Sequence, residues 1–287
     1  MKLTLGFSPC PNDTFIFDAL IHHKIDTEGL EFDVSYEDVE SLNNKAFNNE
    51  LAITKLSYHA YAYAVADYEL LDAGSALGFG VGPLLICKQP ELTELLAPTG
   101  AAEPSAITDL KVGIPGQYTT ANFLLGLAFP QLRDKREMRF SAIEQALLHD
   151  EIDLGLIIHE NRFTYREKGL HKVIDLGDYW EQRTGGPIPL GGIVVQRSLP
   201  ETIKIKLNRL LRKSVEFALA NPRSGIDFIR SHAQEMEESV MFQHIDLYVN
   251  RYTVSLGTDG RAAITRLFNE AEHLGLIPPI NKPLFLL

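Results

Sequence analysis

Two kinds of pattern follow one another along the first two thirds of the chain: short runs of alternating hydrophobic and polar residues, and longer runs with helical spacing. Lys2 to Phe7 alternates as a half-buried strand does, and a second strand of this kind covers residues 32 to 36. Between them, an apolar stripe at helical spacing follows the turn SPCPND, where Asn12 or Asp13 can cap the helix. The alternation continues to about Val195 and predicts an α/β fold with largely parallel sheets.

The middle and the end of the chain extend this pattern. Further strands are predicted at residues 51–54, 111–114, 138–140 and 153–158. A helix is expected from Thr119 onward, and another from Ser141 to His149, where Ser141 and Glu144 form an S-x-x-E capping box. From Pro200 the pattern is entirely helical.

Two changes in composition indicate two lobes. The segment between Gln89 and Asp109 is rich in Pro, Ala, Thr and Glu, and the run RTGGPIPLGG indicates a return connection. We expect the following division: a first lobe of residues 1–88 plus 190–287, an inserted second lobe of residues 109–185, and connections at 89–108 and 186–189. This is the arrangement of a two-lobed, periplasmic-binding-protein-like (type II) fold, in which a ligand cleft lies between the lobes.

Charge and composition narrow the classes of function. A net charge of −11 over 287 residues disfavours nucleic acid or an anionic membrane as a partner, because either requires a basic face. The first residues lack the apolar core of a secretory signal, and no segment reads as a bilayer span, so we expect a cytosolic protein. Cys10 and Cys87 are far apart and indicate neither a disulfide framework nor a zinc site.

Polar side chains follow four of the predicted strands, where parallel sheets gather their ligand groups. These segments are SPCPNDT (residues 8–14), TKLS (54–57), GQYTT (116–120) and HEN (159–161). The first pair belongs to one lobe and the second pair to the other, so closure of the cleft is expected to bring them together.

Each candidate in these segments has a structural alternative. Thr119 and Thr120 suit a carboxylate at a helix start, or one of them merely caps its own helix. Ser57 has the same ambiguity, and Lys55 is either a local cation or a solvated side chain. His159 is a usable general base near neutral pH, or a histidine satisfied at a strand end.

Three other chemistries are weaker. An H-E-x-x-H zinc motif fails because Phe163 occupies the second histidine position, so no metal is implied. Cys10 is a possible nucleophile, although two flanking prolines equally suggest a rigid loop. The glycine run GFGVGP misses a dinucleotide fingerprint because Pro83 replaces its last glycine.

Taken together, these segments resemble the 1,4-dihydroxy-6-naphthoate synthases, which act late in the futalosine route to menaquinone. The resemblance covers nearly the whole chain, and its motifs are short but keep their order and spacing. The segments that carry it are SPCPNDTFIF, DVE, ITKLSY, ALGFGVGPL, PGQYTTANFLL, GLIIHENRFTY and the closing Pro-Leu-Phe.

The resemblance implies a lyase that converts cyclic dehypoxanthinyl futalosine, a small carboxylate substrate, into 1,4-dihydroxy-6-naphthoate without a redox or metal cofactor. Lys55, Leu56 and Ser57 match the family's first substrate-binding segment, and Thr119 and Thr120 match its second. His159 matches the proposed proton acceptor. The alternatives are the chorismate dehydratase of the same pathway and a non-catalytic protein that binds a small anion.

Overall fold

The computed structural model describes residues 1–96, 107–159, 161–233 and 237–286. The chain divides into two compact units, Met1–Gly78 with Pro189–Leu287, and Phe79–Ile188. Residues 97–106, which belong to the first predicted connection, lie outside the described residues. None of the helices in the described part of the chain combines the length and the apolar character needed to cross a bilayer.

Strands and helices alternate up to the last strand, apart from three successive strands within residues 68–87, and helices follow the last strand. The described strands are β1 Lys2–Phe7, β2 Glu31–Tyr36, β3 Ile53–Ser57, β4 Tyr68–Leu70, β5 Ala76–Gly78, β6 Leu84–Cys87, β7 Val112–Ile114, β8 Lys135–Glu137, β9 Leu154–Ile157, β10 His171–Asp175 and β11 Ile188–Gln196. The described helices are α1 Pro11–Ile21, α2 Val39–Phe47, α3 Tyr58–Ala64, α4 Glu91–Leu95, α5 Thr120–Ala128, α6 Ile143–Leu148, α7 Asn161–Thr164, α8 Leu176–Thr184, α9 Glu201–Ala220, α10 Ile226–His232, α11 Glu238–Tyr248, α12 Arg251–Val254 and α13 Gly257–His273.

The first unit is built on a mixed sheet with strand order β2-β1-β3-β11-β4, and β5 pairs with β11. The strands β2, β1 and β3 are parallel, whereas β11 runs antiparallel to β3 and β4. Alternate residues of β1 are fully or nearly buried, and they share a core cluster with residues of α9 such as Leu207 and Leu210. The helices after β11 therefore complete the core of the unit that contains the N-terminus.

The second unit has a five-stranded sheet with the order β10-β6-β9-β7-β8. Its strands β8, β7 and β9 are parallel, while β6 is antiparallel to both β9 and β10. Ile143 and Leu147 of α6 pack in one cluster with Ile157 of β9. Both sheets are thus mixed, which corrects the expectation of largely parallel sheets.

Two boundaries differ from the sequence prediction. The strand β6 belongs to the second unit, so the first unit ends at Gly78 and not at residue 88. All four residues of β6 are buried, and a short run that is apolar on both faces does not reveal which sheet it joins. The strand predicted at 138–140 lies earlier, at Lys135–Glu137, and Phe140 begins a short 3₁₀ helix.

Candidate active site

Parallel pairing places the predicted polar segments at one edge of each sheet. In the first unit, β1 and β3 are neighbours and run in the same direction, so Ser8 after β1 and Ser57 at the end of β3 share an edge. In the second unit, β7 and β9 are parallel neighbours, which brings the Thr119 segment and His159 to one edge. Each unit therefore gathers its own pair of candidate segments.

A buried ion pair lies at the edge of the first sheet. The Asp13 carboxylate accepts hydrogen bonds from the Ser8 hydroxyl at 2.8 Å, the Asn12 amide at 2.8 Å and the Lys55 ammonium at 2.9 Å. The side chains of Lys55 and Asp13 are 9% and 2% exposed. The sequence analysis offered a local cation or a solvated side chain for Lys55, and neither alternative included a buried ion pair with Asp13. The charge of Lys55 is neutralised within the protein.

Asp13 therefore does not cap the first helix. The N-cap position of α1 is Cys10, whose side chain makes no cap hydrogen bond, and Pro11 starts the helix. A proline is well suited to the first helical position because it has no backbone N–H to satisfy. The acidic side chain that the sequence assigned to capping instead holds Lys55, which lies 42 positions further along the chain.

A fully buried histidine from the C-terminal helices completes this network. His244 of α11 contacts the Asn12 side-chain oxygen through Nε2 at 2.8 Å. Because the Asn12 amide nitrogen donates to Asp13, its oxygen is the acceptor for His244, and Nε2 of the ring carries the proton. Sequence reasoning missed His244, since a single histidine in a helical segment gives no signal of a contact 232 positions away.

The hydroxyl of Ser57 differs from the other polar groups at this edge of the sheet. The residue is the N-cap of α3 but makes no side-chain cap hydrogen bond, and its hydroxyl bonds to no residue in the described part of the chain. Its backbone N–H donates to Asn43 at 3.2 Å, and the Asn43 amide in turn donates to Glu40 at 2.9 Å. Glu40 of the DVE segment thus holds Asn43, which in turn holds the backbone of Ser57.

The second glycine pair of the return connection packs against the same strand. Gly191 and Gly192 of β11 pair with Ser57 and Leu56 of β3. A Cβ atom on Gly191 would lie 2.6 Å from the Leu56 carbonyl oxygen, which is closer than side chains approach backbone. Leu56 itself is only 1% exposed, so its side chain belongs to the core. The glycines bring two backbones together here.

In the second unit, Thr119 caps α5. Its hydroxyl accepts the Asn122 N–H at 3.2 Å and donates to the Gly116 carbonyl at 2.8 Å. The helix start predicted at Thr119 is correct, and the capping alternative describes its hydroxyl. Thr120, the first residue of α5, is 2% exposed.

His159 lies two residues after β9 in a left-handed backbone conformation, with a φ of 59°. The imidazole is half-buried, and its ring packs edge-on against Phe140 at a centroid distance of 5.1 Å. Histidine tolerates positive φ better than branched residues do, but the conformation still has to be held by its surroundings. An imidazole in such a turn is oriented without being enclosed in the core.

The residues after His159 are tied to the glycine run GFGVGP. Arg162 donates to the Gly82 carbonyl oxygen and to the Asp175 carboxylate, the latter at 2.8 Å. A Cβ atom on Gly82 would lie 2.2 Å from the backbone nitrogen of Gly177, so only glycine fits between these segments. The glycine run therefore serves close packing of backbone in the second unit.

Comparison with solved structures identifies the fold class of this chain. The alkanesulfonate-binding protein SsuA from Xanthomonas axonopodis pv. citri, solved with MOPS, has a TM-score of 0.68 at 10% identity, covering 97% of this chain and 94% of that one. SsuA from Escherichia coli gives 0.63 at 10% identity, covering 97% and 89%. The fold is that of the periplasmic binding proteins, as the sequence predicts.

The family is more specific than the fold. Residues 3–273 match the family described as Menaquinone biosynthesis, and the chain belongs to this family. The 1,4-dihydroxy-6-naphthoate synthase of Thermus thermophilus is 44% identical over 99% of this chain and 98% of its own length. The Streptomyces coelicolor enzyme of the same name is 38% identical over 97% and 96%. A crystal structure from Archaeoglobus fulgidus has a TM-score of 0.87 at 36% identity, covering 96% and 98%.

These findings confirm the resemblance to the naphthoate synthases drawn from the motifs. The relatives named as synthases match this chain from end to end, and the chain is accordingly an enzyme of menaquinone biosynthesis. The binding proteins share its fold at 10% identity, and such a likeness carries no information about chemistry.

Proposed function

We propose that this chain is a lyase that converts cyclic dehypoxanthinyl futalosine into 1,4-dihydroxy-6-naphthoate. The observation that carries the proposal is the edge of the second sheet, where a half-buried histidine in a left-handed turn follows β9 and a threonine-capped helix start follows the neighbouring strand β7. A general base next to N–H groups suits a substrate that carries both an acidic C–H and a carboxylate.

His159 acts as the general base in this proposal. The neutral imidazole removes a proton from the sugar-derived part of the substrate and holds it as imidazolium. The carbon skeleton then fragments, the sugar-derived part leaves, and the remaining bicyclic product becomes aromatic. A base positioned in this way contributes about 10² to 10⁴ in rate. The edge-on contact with Phe140 and the fixed backbone keep the ring in one orientation, which is the condition for such a contribution.

Two segments bind the substrate. Lys55, Leu56 and Ser57 form the first, in which the Ser57 hydroxyl contacts the substrate directly, while the buried ion pair of Lys55 with Asp13 keeps the end of β3 rigid. Thr119 and Thr120 form the second, and the N–H groups at the start of α5 receive the carboxylate. This local arrangement offsets a net charge of −11 that otherwise repels an anion.

The experiment is incubation of the purified protein with cyclic dehypoxanthinyl futalosine, followed by mass spectrometry of the products. We expect time-dependent appearance of 1,4-dihydroxy-6-naphthoate. A parallel incubation with chorismate tests the dehydratase alternative, and equilibrium dialysis with both compounds tests binding without turnover. Conversion of chorismate in place of the futalosine compound, or binding of either without product, would overturn the proposal.

A further inference from the structure

A buried carboxylate bonds to the segment that follows His159. Glu144, near the start of α6, is 3% exposed, and its Oε2 atom accepts hydrogen bonds from the Asn161 amide at 2.6 Å and the Lys168 ammonium at 2.7 Å. The sequence predicts a capping box for Glu144 with Ser141. The N-cap of α6 is instead Ala142, and no side chain caps this helix.

The two partners of Glu144 bracket the segment that follows His159. Asn161 comes two residues after His159 and begins α7, and Lys168 ends the 3₁₀ helix Tyr165–Lys168. One carboxylate oxygen therefore ties the beginning of this segment to its end. Asn161 is 7% exposed, so its hydrogen bond is shielded from water and is worth more than one at the surface.

The same stretch of chain also touches the imidazole. Phe140 packs on the His159 ring, and Glu144, four residues later, holds Asn161. Holding a residue other than glycine in the left-handed region costs about 1 to 2 kcal/mol, so contacts to His159 and to the residues after it are needed to keep it there. Phe140 provides one such contact from the 3₁₀ helix that it begins, and Glu144 provides the other from the adjoining helix α6.

We propose that Glu144 is a positioning residue for His159, a proposal that rests on the function of His159 as the general base. Glu144 acts through Asn161 and does not touch the reacting atoms. Its charge is balanced by Lys168, so the anchor remains intact in a buried place. Loss of the anchor lets the turn relax and moves the imidazole, and a displacement of about 1 Å can lower a rate by roughly 10²-fold.

The test compares Glu144→Ala and Glu144→Gln with the exposed control Glu151→Gln from the same unit. We expect kcat to fall about 10- to 100-fold in Glu144→Ala, with KM changed less than twofold. Glu144→Gln keeps an acceptor for Asn161 and should recover part of that loss. Asn161→Ala, which leaves the pair of Glu144 with Lys168 in place, should reproduce the loss of kcat even if Glu144→Ala does not fold.

A second measurement separates this proposal from the function itself. In protein labelled with ¹³C-histidine, the His159 ring resonance, assigned with His159→Ala, should shift and broaden in both Glu144→Ala and Asn161→Ala. This readout needs no substrate, so a wild-type protein that makes no naphthoate would refute the proposed function and leave the positioning role testable. Folded variants with an unchanged His159 resonance, or with wild-type kcat, would overturn the role of Glu144.

Discussion

The two units share a plan but use it differently. Each sheet has three parallel strands and an antiparallel strand beside them, and each collects polar residues where its parallel strands end. In the first unit these residues bond to one another, because the Asp13 carboxylate accepts hydrogen bonds from Lys55, Ser8 and Asn12. In the second unit His159 lies in a left-handed turn, and its ring contacts Phe140.

This contrast suggests a division of labour. In a buried ion pair each charge is balanced by its partner, so the pair fixes geometry and presents little net charge to a substrate. A half-buried imidazole can exchange protons. Under the proposed function, the first unit contributes fixed binding groups and His159 of the second unit contributes the base. On this division, substitutions at the ion pair of the first unit should lower stability, and substitution of His159 in the second unit should lower activity.

The largest effect is expected from Asp13→Ala, which leaves the Lys55 ammonium buried without its carboxylate. Breaking a buried pair from one side costs about 3 to 5 kcal/mol, so the free energy of unfolding in urea should fall by that amount. The control is Asp33→Ala in the same unit, which removes an exposed pair with Lys2 at 3.6 Å and should cost at most about 1 kcal/mol. Equal losses in the two variants would mean that Asp13 has no special structural role.

His159→Ala should show the opposite behaviour. We expect kcat to fall at least about 10²-fold, because a general base acts in the transition state, while urea unfolding and KM stay near wild type. His149→Ala, an exposed histidine of the same unit, is the matched control and should retain full activity. Steady-state kinetics on the futalosine substrate decide the matter, and unchanged turnover would remove His159 from the mechanism.

Smaller effects should separate Ser57 from Thr119. Ser57→Ala removes a hydroxyl that bonds to no residue in the described ranges, so we expect KM to rise about 5- to 100-fold with no change in unfolding. Thr119→Val removes an N-cap, so about 1 kcal/mol of stability should be lost along with any effect on KM. If Ser57→Ala leaves KM unchanged, the first binding segment contributes backbone groups alone.

The order of elements and the positions of the candidate segments can be predicted from the sequence, for a physical reason. Alternation records which face of a strand is buried, and polar residues directly after a strand reach the edge where parallel sheets bind ligands. The N-cap of α5 at Thr119 and the helices after Pro200 follow from local signals of this kind.

The partners within the site could not be predicted in this way. Asp13 contacts Lys55 across 42 positions, and His244 contacts Asn12 across 232. Local patterns also favoured a capping role for Asp13 and for Glu144, since an acidic residue near a helix start usually has one. Tertiary contacts override this preference in both units. Asp13 bonds to Lys55 and Glu144 bonds to Asn161, and both of these partners belong to candidate segments of the site.

The smallest effect is expected at the cysteine that the sequence offered as a nucleophile. Cys10 is 2% exposed, and its contribution to the helix start is made by its backbone, whose carbonyl accepts the Thr14 N–H and hydroxyl, each at 3.0 Å. Serine keeps that backbone, so Cys10→Ser should retain kcat within about threefold if His159 acts without a covalent partner.

Cys87 of the second unit is the reference for a buried thiol, because burial raises its pKa to about 11 and keeps it protonated at neutral pH. Both thiols should resist iodoacetamide in the folded protein, which mass spectrometry before and after unfolding would report. A substrate-derived adduct on Cys10, or a loss of activity as large as that of His159→Ala, would assign the chemistry to the first unit and reverse the division of labour between the two.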